Sequence, residues 1–183
     1  MPFPQEKGYT SKNYWNLPDG QRAELIDGKF YDVAPPKRIH QELVLELSAA
    51  IREHIREKGG NCKIYPAPFA VNPDREGHNW AEPDISVACD SEKLTDWGCS
   101  GAPDLIAEIV SPSSSHMDYV KKLALYSETG VREYWIVDPD RGRTTVYFLE
   151  RADAPVLYSF DQPIASGIFP GLVVTISDLL SGE

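Results

Sequence analysis

Two acidic residues stand out by their surroundings. Asp84 follows Pro83 and opens a run containing Ile85, Val87 and Ala88. Glu108 lies inside the apolar run Leu105-Ile-Ala-Glu-Ile-Val110. A carboxylate in such a strand has little water around it, and burying an unpaired charge is expensive. A metal ion, a cation or an edge location must compensate. Two carboxylates on neighbouring strands make a hard-oxygen site of the kind that suits Mg²⁺ or Mn²⁺. A cation is also at hand. Lys122 lies four residues after Asp118, so both point from one face of a helix. That helix follows the Glu108 strand through the loop 111–116, a connection short enough to return the ammonium to Glu108. Glu108 and Val110 lie two apart and share one strand face.

Each residue also has an ordinary reading. An Asp after Pro commonly serves a turn or a strand start. Glu108 can be half of a structural ion pair with Lys122 or Arg132, although such pairs seldom add net stability. Lys122 can be a solvated helix residue paired with Asp118, and Lys121 is its rival about 100° around the helix. His78 and His116 lie in polar loops without a clear partner, and Asp104 reads as a loop residue. The run Tyr134-Trp135-Ile136-Val137 reads as core strand ahead of a base-stacking platform.

Periodicity and turn signals predict the secondary structure around these groups. Residues 9–16 predict a short helix. Residues 23–26 and 29–33 predict two strands, and the Asp27-Gly28 step between them is a hairpin signal. Ile39, Leu43, Leu47, Ala50, Ile51 and Ile55 fall at helical spacing, which predicts an amphipathic helix over 38–58, stopped by Gly59-Gly60. Residues 62–71 alternate like one strand, which Pro66 and Pro68 mark as an edge or bulged one. Strands are predicted over 80–89 and 105–110, and a helix over 118–129 with Gly130 past its end. Strands over 133–137 and 144–149 flank the turn 138–142. Strands over 156–160 and 173–176 follow, then a short helix after Ser177. This order predicts one mixed α/β (α+β) domain over 1–183, with helices packed on a largely antiparallel sheet.

Composition narrows the function. The net charge of −10 over 183 residues argues against simple electrostatic capture of nucleic acid. A nucleic-acid enzyme of this composition needs a local basic stripe, a bridging metal or an oligomer that gathers its cations. The three cysteines are odd in number, far apart and in no CxxC pattern, which argues against a zinc site or a disulfide framework. Cys62 and Cys89 lie in strand-like runs and are expected as buried free thiols. A reducing cytoplasm fits. No apolar run approaches the ~20 residues that cross a bilayer, and Met1-Pro2-Phe3-Pro4 lacks the start of a signal peptide. A soluble, intracellular protein is expected.

Pro83-Asp84 followed by Glu108-Ile109-Val110 resembles the PD-(D/E)xK signature of restriction-endonuclease-like nucleases. The chain as a whole is similar to the Uma-two family of that superfamily. The matching stretches are Glu24-Leu-Ile-Asp-Gly28, His40 at the start of the long helix, and Pro83-Asp84. They continue with Ala102-Pro-Asp-Leu-Ile-Ala-Glu-Ile-Val-Ser-Pro112, the Asp118, Lys122 and Tyr126 helix, and Gly130-Val-Arg-Glu-Tyr-Trp-Ile-Val-Asp-Pro139. Val110 stands where the superfamily pattern has its lysine, and the family resemblance places that lysine at Lys122.

The resemblance implies a restriction-endonuclease-like mixed β-sheet flanked by helices, with an N-terminal β-hairpin and C-terminal strands. It implies hydrolysis of DNA phosphodiester bonds. Asp84, Glu108 and the Ile109 carbonyl would bind one or two Mg²⁺ (or Mn²⁺) ions, and Lys122 would orient the attacking water. Glu24 would complete the metal sphere or hold Lys122, and His40 would touch the phosphate or stand just behind it. Asp118 would support Lys122. Two other classes stay open. A non-catalytic nucleic-acid- or protein-binding module on a nuclease-like scaffold is favoured by the charge and by Val110. Hydrolysis of a small phosphoester needs no basic groove. A homodimer is expected, because paired sites help to cut both strands and exposed edge strands invite pairing.

Overall fold

The computed structural model describes residues 8–112, 114–151 and 153–181. The chain begins with α1 (Ser11–Tyr14), the hairpin β1 (Ala23–Ile26) and β2 (Lys29–Asp32), and the long helix α2 (Arg38–Glu57). Next come β3 (Lys63–Pro66), β4 (Val71–Asn72), β5 (Ile85–Ala88), β6 (Leu94–Thr95), β7 (Gly98–Ser100) and β8 (Leu105–Ile109). A π-helical segment, Met117–Lys122, passes directly into α3 (Leu123–Thr129). The chain continues through β9 (Glu133–Asp138), β10 (Arg143–Phe148), β11 (Val156–Ser159), β12 (Ile164–Ala165), β13 (Val173–Val174) and α4 (Ile176–Ser181).

Local chemistry explains the early elements. Asp27 and Gly28 both take positive φ, at 51° and 68°, which is what a two-residue hairpin turn of matching twist requires. Helix α2 has no side-chain cap at Lys37, yet it buries Leu43, Val44, Leu47, Ile51 and Ile55 on one stripe. Each such burial contributes about 1.5–3 kcal/mol, which outweighs a missing cap.

Six strands form the main sheet in the order β11-β10-β9-β8-β5-β3. All neighbours pair antiparallel except β8 with β9. A parallel step needs a crossover, and the π-helical segment with α3 supplies it. The fold is therefore mixed α+β, as the order of elements predicts. Strand β8 separates two apolar layers. Leu105, Ala107 and Ile109 pack under α2 with Ile85, Val87, Trp135 and Val137. Ile106 and Val110 face the other way, with Tyr134, Ile136 and the α3 residues Leu125 and Tyr126. By strand alternation Glu108 belongs to this second face.

Several local expectations change. Residues 62–71 are two strands, not one. Pro66 and Pro68 lack the N–H that a ladder needs, so β3 ends at Pro66 and β4 pairs with β7 in a separate sheet. Strand β3 is an edge, as its prolines indicate. The last predicted strand shortens to Val173–Val174, and α4 begins at Ile176 instead of after Ser177. Strands β6 and β7 are too short to show periodicity. Cys62 and Cys89 are not free thiols. Lys63 lies opposite Ala88, so the two cysteines flank that pair, and a disulfide joins them. Cys99 is free and buried. Among the described residues no helix is long and apolar enough to cross a membrane.

Candidate active site

Strand register builds the first contact. Ile85 stands opposite Ala107, which brings the preceding Asp84 to Glu108. The Asp84 amide donates to Glu108 Oε2 at 3.2 Å, and the Ile109 amide donates to Asp84 Oδ2 at 2.8 Å. Each carboxylate is thus tied to the other's segment of backbone. His40, in the first turn of α2, places Nε2 3.1 Å from Asp84 Oδ2.

The crossover brings the cation. Lys122 Nζ lies 2.9 Å from Glu108 Oε1, 2.9 Å from Glu24 Oε1 and 3.5 Å from Asp118 Oδ1. Glu24 comes from β1 and also accepts from the Glu82 amide at 2.8 Å. Tyr126 OH donates to Glu108 Oε1 at 3.3 Å, and Tyr134 OH donates to the Asp118 carbonyl at 3.1 Å. The π-helical turn is wider than an α-turn, and such turns concentrate at functional sites. It leaves both Asp118 and Lys122 buried. Lys121 goes elsewhere: its ammonium donates to Tyr31 OH at 2.9 Å and lies 5.1 Å from that ring's centre. The choice between the two lysines is therefore resolved in favour of Lys122 as the partner of Glu108.

Glu24, Glu108, Asp118 and Lys122 are each less than a tenth exposed. The side chains of His40 and Asp84 are 15% and 18% exposed, so the cluster opens to solvent on their side. Burial pushes the Glu108 carboxyl well above its usual range; Lys122 opposes this, while Asp84, Asp118 and Glu24 reinforce it. Burial works against the Lys122 ammonium, but Glu108, Glu24 and Asp118 outweigh it and keep the group protonated. Burial also raises Asp118, against the pull of Lys122 and of a hydrogen bond from Ser114. A structural ion pair needs matched charges. Here three carboxylates, Glu24, Glu108 and Asp118, surround one ammonium, and Asp84 stands beside Glu108.

Among the described residues no group of three or more His, Cys, Asp and Glu side chains is disposed to hold a metal ion by itself. The donor set nonetheless suits a divalent ion. Asp84 and Glu108 supply hard oxygens on adjacent segments. Asp84 Oδ1 accepts no hydrogen bond among the described residues, since both Asp84 contacts use Oδ2. The carboxylates outnumber the ammonium, and a bound divalent ion would favour their ionised forms.

The structure brings together Glu24, His40, Asp84, Glu108 and Lys122, with Asp118 beside them. Ile109 meets Asp84 through its amide. Arg132, the other sequence candidate for Glu108, pairs instead with Asp104 at 3.3 Å and Glu150 at 2.7 Å. Asp104 also accepts from the Cys89 amide, and His78 bonds the Tyr9 carbonyl. Tyr126 is a further member of the site that the sequence signals only through its i+4 spacing from Lys122, and Glu133, within a core strand, carries no local signal of its cradle.

A family model described as "Putative restriction endonuclease" (Uma2) matches residues 12–177. An uncharacterised protein of Synechocystis is 25% identical over 138 residues, which is 74% of this chain and 70% of that protein. A solved structure from Anabaena variabilis, described as a "putative nuclease belonging to DUF820", superposes with a TM-score of 0.77. Its identity is 22%, the match covers 95% of this chain and 98% of that one, and the likeness is one of fold.

Proposed function

Because the chain belongs to the Uma2 family of restriction-endonuclease-like proteins, we propose that it is a metal-dependent endonuclease hydrolysing phosphodiester bonds of DNA. The observation that carries this reading is the meeting of Asp84, Glu108 and Lys122, from three separate elements, with negative charge in excess. In the proposal Asp84, Glu108 and the Ile109 carbonyl hold Mg²⁺ or Mn²⁺. When bound, such an ion polarises the phosphate and stabilises the leaving oxygen. Lys122 orients the attacking water through Nζ, and Glu24 and Asp118 hold that ammonium in place. Tyr126 fixes the Glu108 carboxylate. His40, on the open side, steadies Asp84 and meets the substrate phosphate. The chain acts as one restriction-endonuclease-like domain in a cytoplasmic homodimer, whose two sites serve the two strands of a duplex. A reducing compartment would open the Cys62–Cys89 bridge.

The test is nicking of supercoiled plasmid by the full chain with Mg²⁺ or Mn²⁺. Nicking is expected to stop in EDTA and to fall about 100-fold or more in Asp84→Ala and Glu108→Ala. A protein that cuts nothing with either ion, and whose metal affinity neither substitution changes, ends this reading. The net charge of −10 favours one alternative, a non-catalytic binding module. Nucleic-acid or protein binding that survives both EDTA and Asp84→Ala, without cleavage, would select it. Cleavage of short phosphoesters alone would select a small-molecule hydrolase. Light scattering reads the dimer.

A further inference from the structure

Trp97 is 74% exposed and Trp15, beside it, 44%. Their ring centres lie 5.8 Å apart with planes at 66°. Behind them Trp15 meets Trp80 edge-on at 5.0 Å, and Trp80 stacks on Tyr14 at 5.4 Å. Trp97 is held on a pinned turn. Thr95 Oγ1 donates to the Gly98 carbonyl at 3.1 Å and accepts from the Trp97 amide at 3.2 Å. Cys99 N donates to the Ala70 carbonyl at 2.8 Å. Gly98, at φ +147°, lies so close to that carbonyl that a Cβ would come within 2.1 Å of its oxygen. The exposed indole is therefore presented on a fixed support. The same aromatic cluster is joined to the carboxylate cage: Tyr14 OH donates to Glu82 Oε1 at 3.0 Å, and the Glu82 amide donates to Glu24.

We propose that Trp15 and Trp97 form a stacking platform for unpaired bases of a single-stranded nucleic acid, a binding site for single-stranded segments that goes beyond the duplex cleavage of the nuclease reading on which this proposal rests. Size argues for this occupant. The two indoles offer about 300 Å² of surface, far short of the ~800 Å² per partner in a stable protein interface. Their neighbours in sequence, Lys12, Asn16 and Asp96, are exposed and polar and do not extend the apolar patch. Charge argues the same way. A chain of net −10 is poorly suited to holding a strand by its phosphates alone, so stacking on an aromatic face, worth about 5- to 100-fold in affinity per base and tolerant of any base, must carry a larger share of the binding. Lys12, one turn before Trp15, is exposed and has no carboxylate partner among the described residues.

The test is binding of a labelled 12-nucleotide strand to the full chain in EDTA, beside the duplex of the same sequence. Trp97→Ala is expected to weaken single-strand binding about 5- to 100-fold, to reduce quenching of tryptophan fluorescence, and to leave duplex affinity within twofold. Trp97→Phe is expected to retain most of the binding. DNA and RNA versions of the strand show which source of unpaired bases is preferred. Equal single-strand affinity of Trp97→Ala and wild type overturns the platform. So does a change in sedimentation with oligonucleotide affinity unchanged, which would assign the patch to a second copy. Plasmid nicking separates the two proposals. A protein that nicks but ignores the Trp97 substitution loses only the platform, and one that binds through Trp97 but never nicks loses only the nuclease reading.

Discussion

Glu108 and Glu133 lie on adjacent strands, β8 and β9, both buried, and they are held in opposite ways. Glu133 accepts from Trp135 Nε1 at 2.6 Å, Ser166 Oγ at 3.1 Å and the amides of Gly167 and Ile168 at 2.8 and 3.1 Å. Its partners are neutral donors that fill both oxygens. Burial still raises its pKa, against the pull of those bonds. Glu108 meets an ammonium, a phenol and one amide, and two further carboxylates, Glu24 and Asp118, crowd the same cation. A buried charge that satisfies itself stitches a turn to a strand. A buried charge left in surplus asks for a ligand, and that difference separates a structural glutamate from a candidate catalytic one.

Lys122 is where the two glutamates differ most. Lys122→Met leaves buried carboxylates without their cation and is expected to cost about 3–5 kcal/mol in urea unfolding. A variant as stable as wild type would mean that the cage is not charged. Mg²⁺ comes next. At a hundredfold excess over its dissociation constant it should stabilise the wild type by about 2.7 kcal/mol. EDTA should reverse the gain, and Glu108→Gln should lack it, whereas a Glu133 substitution should keep it. Glu133→Ala orphans the donors around it and is expected to cost about 1–3 kcal/mol, with the nicking rate within twofold of wild type well below the melting temperature. Loss of nicking there would erase the distinction between the two glutamates.

The smallest effect is a slope. The Glu133 carboxyl is raised above its ordinary 4.5 in the folded state. Between those two values the folded protein binds more protons than the unfolded chain, so this stabilisation is complete below 4.5 and is lost as pH rises through the raised value. The stability of wild type minus that of Glu133→Gln should therefore fall as pH climbs above 4.5. A difference that rises with pH would mean that the neutral donors outweigh burial after all.

Features whose energetics are local can be read from the residues alone. The Asp27-Gly28 turn, the apolar stripe of α2 and the strangeness of a glutamate within Leu105-Ile-Ala-Glu-Ile-Val110 are readable from neighbours within a few residues, because turn sterics and periodic burial act over that range. The spacing of Asp118, Lys122 and Tyr126 gave the helix face in the same way. The remaining features depend on strand register and on the path of the crossover. The Cys62–Cys89 bridge, the cradle that residues 166–168 build for Glu133, and the meeting of Trp15 with Trp97 join segments too distant for any local pattern to record. So does the sharing of one ammonium among carboxylates from a hairpin, a strand and a π-helical turn. Such contacts arise after the elements have packed, because a one-residue change in pairing would turn Asp84 and Glu108 away from each other.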